Sequence, residues 1–210
     1  MSRLTTSILL GTGGALILYA GLRKKRGTVY PVTYPKLQPF VQNRVRRDDY
    51  GTLPADSPLL VPVESSGRPQ KLHVLAAKRL DALKRAAARD GFTDIKVASG
   101  WRPHLWRDYN HYEQTMINRY GSVAEGRKWV AYKSAHETGL AVDFGSHGLE
   151  PRRATNERQK QTPFYQWLVN NAHRFGFTPY KVEAWQWEVK VPRDAWASGE
   201  EFTNDYGVFV

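Results

Sequence analysis

In the stretch Ser134-Ala135-His136-Glu137-Thr138-Gly139-Leu140-Ala141-Val142-Asp143, an imidazole and a carboxylate stand seven residues apart around a glycine, leading into apolar residues of strand character. Neutral imidazole and ionised carboxylate are zinc-type ligands, and a catalytic site adds a third protein ligand while leaving one position open. The plain alternative is a turn histidine and an aspartate that caps a strand. Downstream, Glu183-Ala184-Trp185-Gln186-Trp187-Glu188 supplies another carboxylate among tryptophans. Aromatic walls lower the local dielectric and push a carboxyl pKa up toward general-base usefulness. Upstream, Ser99-Gly100-Trp101-Arg102-Pro103 ends the apolar run Ile95-Lys96-Val97-Ala98, which puts a guanidinium where a strand leaves its sheet.

Taken in order, these three blocks resemble the zinc D-alanyl-D-alanine carboxypeptidase and dipeptidase family, which includes phage endolysins that cut the L-alanyl-D-glutamate bond. The matching stretches are Ser99 to Arg102, Ser134 to Asp143 and Glu183 to Trp187, and Trp167 to Phe177 is similar to the helix that the family places between the last two. The resemblance spans roughly residues 70 to 190. It implies that His136 and Asp143 bind Zn2+ and that Glu183 is the catalytic base. It gives Arg102 a catalytic and substrate-holding role, and makes Ser134 and Trp185 substrate contacts. Without the resemblance, Arg102 reads as a surface ion pair and Ser134 as a local backbone cap.

One position departs from the family pattern. Its third zinc-ligating histidine is replaced here by Gln186, whose amide oxygen is a weaker donor than imidazole. Three readings follow. The shell consists of His136, Asp143 and the Gln186 oxygen; or His147 or Glu188 completes it; or the chain is an impaired relative that binds cell-wall peptide or a protein partner. The function implied by the resemblance is metal-dependent hydrolysis of peptidoglycan stem peptides, at D-Ala-D-Ala or at L-Ala-D-Glu.

Composition bounds this reading. The chain has 210 residues and no cysteine, so disulfides and thiolate zinc ligation are excluded. Its net charge of +11 includes the clusters Arg23 to Arg26, Arg44 to Arg47 and Arg152-Arg153. These attract polyanions, but no zinc-finger spacing, phosphate-binding glycine loop or aromatic RNA-binding signature accompanies them. Charge therefore reads as localisation and steering, with nucleic acid the lesser alternative.

Leu4 to Leu22 carries no charged residue, and nineteen helical residues would span roughly 28 Å, about a bilayer core. The expectation is a membrane anchor over residues 1–26, a proline-rich extended arm over 27–70 and a peptidase-like domain over 71–210, in a single-pass protein of a bacterial envelope or a phage virion membrane. The basic residues after the apolar run favour a cytoplasmic flank, which sits awkwardly with peptidoglycan outside.

The ligands need elements to hold them. Apolar spacing from Leu72 to Ala86, stopped by Gly91, predicts an amphipathic helix. Strands are expected at 95–101, 140–144 and 185–189, and helices at 104–132, with a break near Gly121, and at 163–175. The fold class is α+β, a small mixed and mainly antiparallel sheet flanked by helices, with an N-terminal membrane helix. The basic loop 146–162, with Arg152, Arg153, Arg158 and Lys160, would border the cleft or stay solvated.

Overall fold

The computed structural model describes residues 44–202. Two antiparallel sheets organise them. Leu60–Val63 (β1) and Gln70–His73 (β2) pair as a ribbon, while Val97–Ser99 (β3), Ala141–Phe144 (β4), Phe177–Pro179 (β5) and Gln186–Val189 (β6) form a sheet in the order β3-β4-β6-β5. Every neighbouring pair in that sheet is antiparallel. An isolated bridge between Ser65 and Val97 is parallel. The α+β expectation of a mainly antiparallel sheet is met.

Helices flank the sheets: Arg47–Tyr50 (α1), Val74–Arg89 (α2), Tyr109–Tyr120 (α3), Val123–Gly126 (α4), Asn156–Gln159 (α5), Pro163–Asn171 (α6) and Arg193–Ser198 (α7). The longest, α2, begins where His73 accepts the Leu75 N–H, and it buries Ala76, Leu80, Leu83 and Ala87. Their three- and four-residue spacing places them on one face. Leu83 is fully covered, so Leu83→Ala would cost about 2–5 kcal/mol. Helix α6 starts at Thr162, whose hydroxyl accepts the Tyr165 N–H, with Pro163 in its first turn. It turns Phe164 and Trp167 inward, where Phe164 meets Phe144 of β4 at 5.5 Å and Tyr165 meets Trp187 of β6 at 6.0 Å. That aromatic layer fixes the central strands that carry the site.

The helix expected at 104–132 is shorter. Asp108 caps α3 by accepting the His111 N–H, Gly121 ends it in a left-handed conformation, and Ser122 caps α4. Pro103 biases the residue before it away from helix, and residues 101–106 are non-helical. Part of the proline-rich stretch is folded: Leu60 to Val63 pair with Gln70 to His73, and the Tyr50 hydroxyl donates to the Val191 carbonyl at 2.6 Å.

The membrane assignment is corrected. No described helix is long and apolar enough to cross a membrane. Helix α2, with 16 residues, reaches only about 24 Å and carries lysines and arginines. The apolar run from Leu4 to Leu22 lies outside the described residues, and a single-pass protein is not supported.

Candidate active site

Strand register brings the first two groups together. Asp143 pairs with Ser99 of β3 on one side and with Gln186 of β6 on the other. Directly opposed residues of an antiparallel pair project to the same face, so the Asp143 carboxylate and the Gln186 amide share one face of the sheet.

His136 arrives from the chain just before β4, on a 3-10 turn at Ala135–Thr138. The turn is capped reciprocally: Ser134 Oγ accepts the His136 N–H at 3.3 Å, and the Ser134 N–H donates to Glu137 Oε1 at 2.9 Å. Glu137 is buried and is further held by His104 at 3.1 Å and Arg47 at 3.4 Å. Gly139, at φ +73°, turns the chain into β4, and a Cβ there would meet the His73 backbone nitrogen at 2.8 Å. Only glycine tolerates both the left-handed φ and that approach.

The imidazole is oriented by backbone. His136 Nδ1 lies 2.6 Å from the Gly100 carbonyl oxygen. A carbonyl only accepts, so Nδ1 carries a proton, and in the neutral imidazole Nε2 keeps its lone pair. Nε2 sits 3.3 Å from Asp143 Oδ1, and both are buried atoms without a hydrogen-bond partner. Two buried acceptors face each other, an arrangement that calls for positive charge between them.

Glu183 precedes β6 and lines the same cavity as Asp143 and Gln186. Burial, and then the neighbouring Asp143 charge, push its pKa up to about 7, against the opposing pull of Arg102, Trp185 and Arg44. Trp185 is buried and lines the cavity, as do Ser134 and the exposed side chain of Arg102. The cavity measures about 460 Å3.

Gln186 donates its amide N–H to Glu188 Oε1 at 2.8 Å, and its oxygen makes no hydrogen bond among the described residues. Glu188 Oε2 accepts the Val45 N–H at 2.8 Å and pairs with Arg44 at 3.2 Å. Burial raises the Glu188 pKa, against the pull of Arg44, the Val45 N–H and Gln186. With both oxygens engaged, Glu188 supports Gln186 and does not complete a metal shell. His147 does not complete it either: its Nε2 contacts the Thr93 carbonyl and its ring packs against Phe92 and Phe164. Among the described residues no three His, Cys, Asp or Glu side chains group as a metal site. Gln186 lines the cavity beside Asp143, with its amide nitrogen committed to Glu188.

Sequence reasoning missed the segment from Arg44 to Asp48, which forms one wall of the cavity. The guanidinium of Arg44 lies 4.0 Å over the Tyr180 ring, and Lys133 pairs with Asp48 at 2.7 Å. The available signal is the basic cluster Arg44 to Arg47, which sequence alone presents as diffuse charge. Of the basic residues singled out in loop 146–162, Arg153 lines the cavity; Arg152 pairs with Glu150 and Lys160 with Glu157.

No curated protein sequence matches the chain. Among solved structures, a mutant of the vancomycin-resistance D,D-pentapeptidase VanY from a VanB-type cassette, in complex with Zn(II), is 24% identical, over 73% of this chain and 89% of that one, with a TM-score of 0.46. VanYB in complex with D-alanine-D-alanine is 25% identical over 73% and 88%, with a TM-score of 0.46. DacB from Streptococcus pneumoniae D39 is 26% identical over 65% and 74%, with a TM-score of 0.38. The family model for VanY, D-alanyl-D-alanine carboxypeptidase, matches residues 69–196, more than half of the chain and all three motif blocks. The chain belongs to the VanY D-alanyl-D-alanine carboxypeptidase family.

Proposed function

We propose that this protein is a zinc carboxypeptidase that removes the terminal D-alanine from peptidoglycan stem peptides ending in D-Ala-D-Ala. The observation that carries the reading is the pair of orphaned acceptors, His136 Nε2 and Asp143 Oδ1, buried 3.3 Å apart beside Glu183. Zinc ligands at about 2.0–2.1 Å in a tetrahedron stand roughly 3.3–3.4 Å from one another, so the spacing suits two corners of one shell. The Gln186 oxygen supplies a third, oriented because its amide nitrogen is committed to Glu188. The donor set fits zinc, with one weak member.

When bound, Zn2+ supplies Lewis acidity toward a water and the scissile carbonyl. The chain's own groups do the rest. His136 is held in the tautomer that leaves Nε2 free, through the Gly100 carbonyl. Glu183, with a pKa near 7, takes the proton from the attacking water and delivers it to the leaving amine. Arg102 sets a fixed positive charge beside Glu183, suited to holding the terminal carboxylate or the developing oxyanion. Trp185 and Ser134 line the cavity as substrate contacts, and Ser134 also caps the turn bearing His136.

The test incubates Zn2+-loaded protein with a peptide ending in D-Ala-D-Ala and follows release of D-alanine by mass spectrometry. Release should be lost in Glu183→Gln with zinc binding retained, and both should be lost in His136→Ala. Zinc binding without any D-alanine release from wild type would overturn the reading.

A further inference from the structure

The loop 146–162 carries two buried amide side chains, which a solvated charged loop does not need. Gln159 folds the loop onto itself, accepting the Glu150 N–H at 2.9 Å and donating to Thr155 Oγ1 at 2.8 Å. Asn156, the first residue of α5, reaches out of the loop instead. Its oxygen accepts the Ala184 N–H at 2.8 Å, while its nitrogen donates to the Val182 carbonyl and to Glu157 Oε1, both at 2.9 Å. Both amide hydrogens and the oxygen are thereby engaged.

Val182 and Ala184 are the chain neighbours of Glu183. The Val182 carbonyl belongs to the peptide unit before Glu183, and the Ala184 N–H to the unit after it. The opposite ends of the same two units are also bonded: the Glu183 N–H donates to the Tyr180 carbonyl at 3.3 Å, and the Glu183 carbonyl accepts the Gln186 N–H at 3.2 Å. A peptide unit is planar, so fixing both units fixes the two backbone dihedrals of the residue between them. Ladder pairing of β4 with β6 begins only at Gln186. At 182 and 184 the partner is therefore a side chain from a distant loop.

Building on the proposed carboxypeptidase activity, we infer that Asn156 is a positioning residue for the reaction, clamping the backbone on both sides of Glu183 and so fixing where that carboxylate stands in the cavity. Asn156 does not line the cavity, and its side chain bonds to none of His136, Asp143 and Gln186. It acts through Glu183, on neither substrate nor metal. A catalytic group displaced by about 1 Å loses on the order of a hundredfold in rate. Because a base works in the transition state, that loss falls on kcat and spares ground-state binding.

The test compares the full-length Zn2+-loaded protein with Asn156→Ala, Asn156→Asp and Leu83→Ala, the last weakening the core without touching the cavity. D-alanine release from a peptide ending in D-Ala-D-Ala gives kcat and KM at a temperature where each variant is folded by circular dichroism. Zinc affinity is measured by competition titration, and backbone protection by hydrogen exchange. Asn156→Ala should lower kcat by about a hundredfold with KM and zinc affinity unchanged, and the Ala184 amide should exchange faster while amides of α2 keep their protection. Asn156→Asp keeps an oxygen for the Ala184 N–H and loses only the donor to Val182, so its kcat should fall less and Ala184 should stay protected. Leu83→Ala should keep its kcat. An unchanged kcat in both Asn156 variants, an equal loss in Leu83→Ala, or a loss matched by weaker zinc binding would overturn the assignment. Should Asn156→Ala not fold, Asn156→Asp decides: a lowered kcat supports the clamp and an unchanged one overturns it. If wild type releases no D-alanine while Ala184 loses protection in Asn156→Ala, the carboxypeptidase reading fails and the clamp on Glu183 stands. If D-alanine is released and kcat does not move, the clamp fails and the carboxypeptidase reading stands.

Discussion

Gln186 gives its amide hydrogen to Glu188 at 2.8 Å, two residues along the same strand. That bond sets which end of the amide is left for the cavity, and in the proposed zinc shell it would make this position an oxygen donor of fixed orientation. Groups that orient a metal ligand typically change affinity by about 10–100-fold when removed. Glu188→Ala should weaken zinc binding by that order, as measured by competition titration. Gln186→His should strengthen it, since Glu188 could take the ring's second N–H. Zinc affinity unchanged in both variants would remove Gln186 from the shell.

The titration of Glu183 makes a prediction with a definite sign. The proposed base must be ionised, and the Glu183 carboxyl sits near 7 through burial and the Asp143 charge, with Arg102 pulling it down. The rate should therefore climb as pH rises through that region, with bound Zn2+ moving the limb lower. Replacing Arg102 by glutamine removes the downward pull and should shift the limb upward; a limb that stays put in kcat/KM profiles counts against Glu183 as the base. In metal-free protein the same shift acts on stability. The folded value lies above the ordinary 4.5, so the folded state holds more protons between 4.5 and 7, and stability falls as pH rises through that window. Glu183→Gln should flatten this slope in thermal unfolding.

Gly100 carries the carbonyl that holds His136. A Cβ there would run into the Lys71 backbone oxygen and meet Leu72 Cδ2 at 3.2 Å. Backbone does not yield cheaply. Gly100→Ala should cost about 1–3 kcal/mol in denaturant unfolding and should weaken zinc binding by displacing the Nδ1 acceptor.

Tyr50 fastens the segment that includes α1 to the chain just past β6, donating to the Val191 carbonyl at 2.6 Å and accepting the Val191 N–H at 3.3 Å. Tyr50→Phe strands two buried backbone groups, at about 1–3 kcal/mol. Hydrogen exchange at the Val45 amide, which reports its bond to Glu188, should accelerate in that variant. Unchanged protection would show that the segment is held independently of Tyr50.

Legibility in the sequence follows the range of the interactions. Helix α2 is readable because its buried positions repeat every three or four residues and its stop is a local glycine. The His136 and Asp143 blocks are readable because turn, cap and strand lie within ten residues. The β1–β2 ribbon is not, since prolines at 54, 58, 62 and 69 argue for extended chain and Leu60 finds His73 only by tertiary pairing. The expected 104–132 helix is lost at its two ends: Pro103 and the Asp108 cap delay its start to Tyr109, and the helical residues stop at Gly126. Proximity in sequence makes His147 a candidate ligand, whereas its ring is committed to Phe92 and Phe164. Arg44 and Val45 cannot be connected to Glu188 from sequence, because 143 residues separate Val45 from its acceptor.

That long-range contact bears on how relatives should be compared. The family match begins at residue 69, yet a cavity wall and both anchors of Glu188 Oε2 come from residues 44–48. Two homologues could agree at every aligned position and still differ in ligand geometry and in the charge met by an incoming peptide. Specificity inherited from alignment alone would then be assigned to half an enzyme, and swapping the short leading stretch between such homologues should carry part of their selectivity with it.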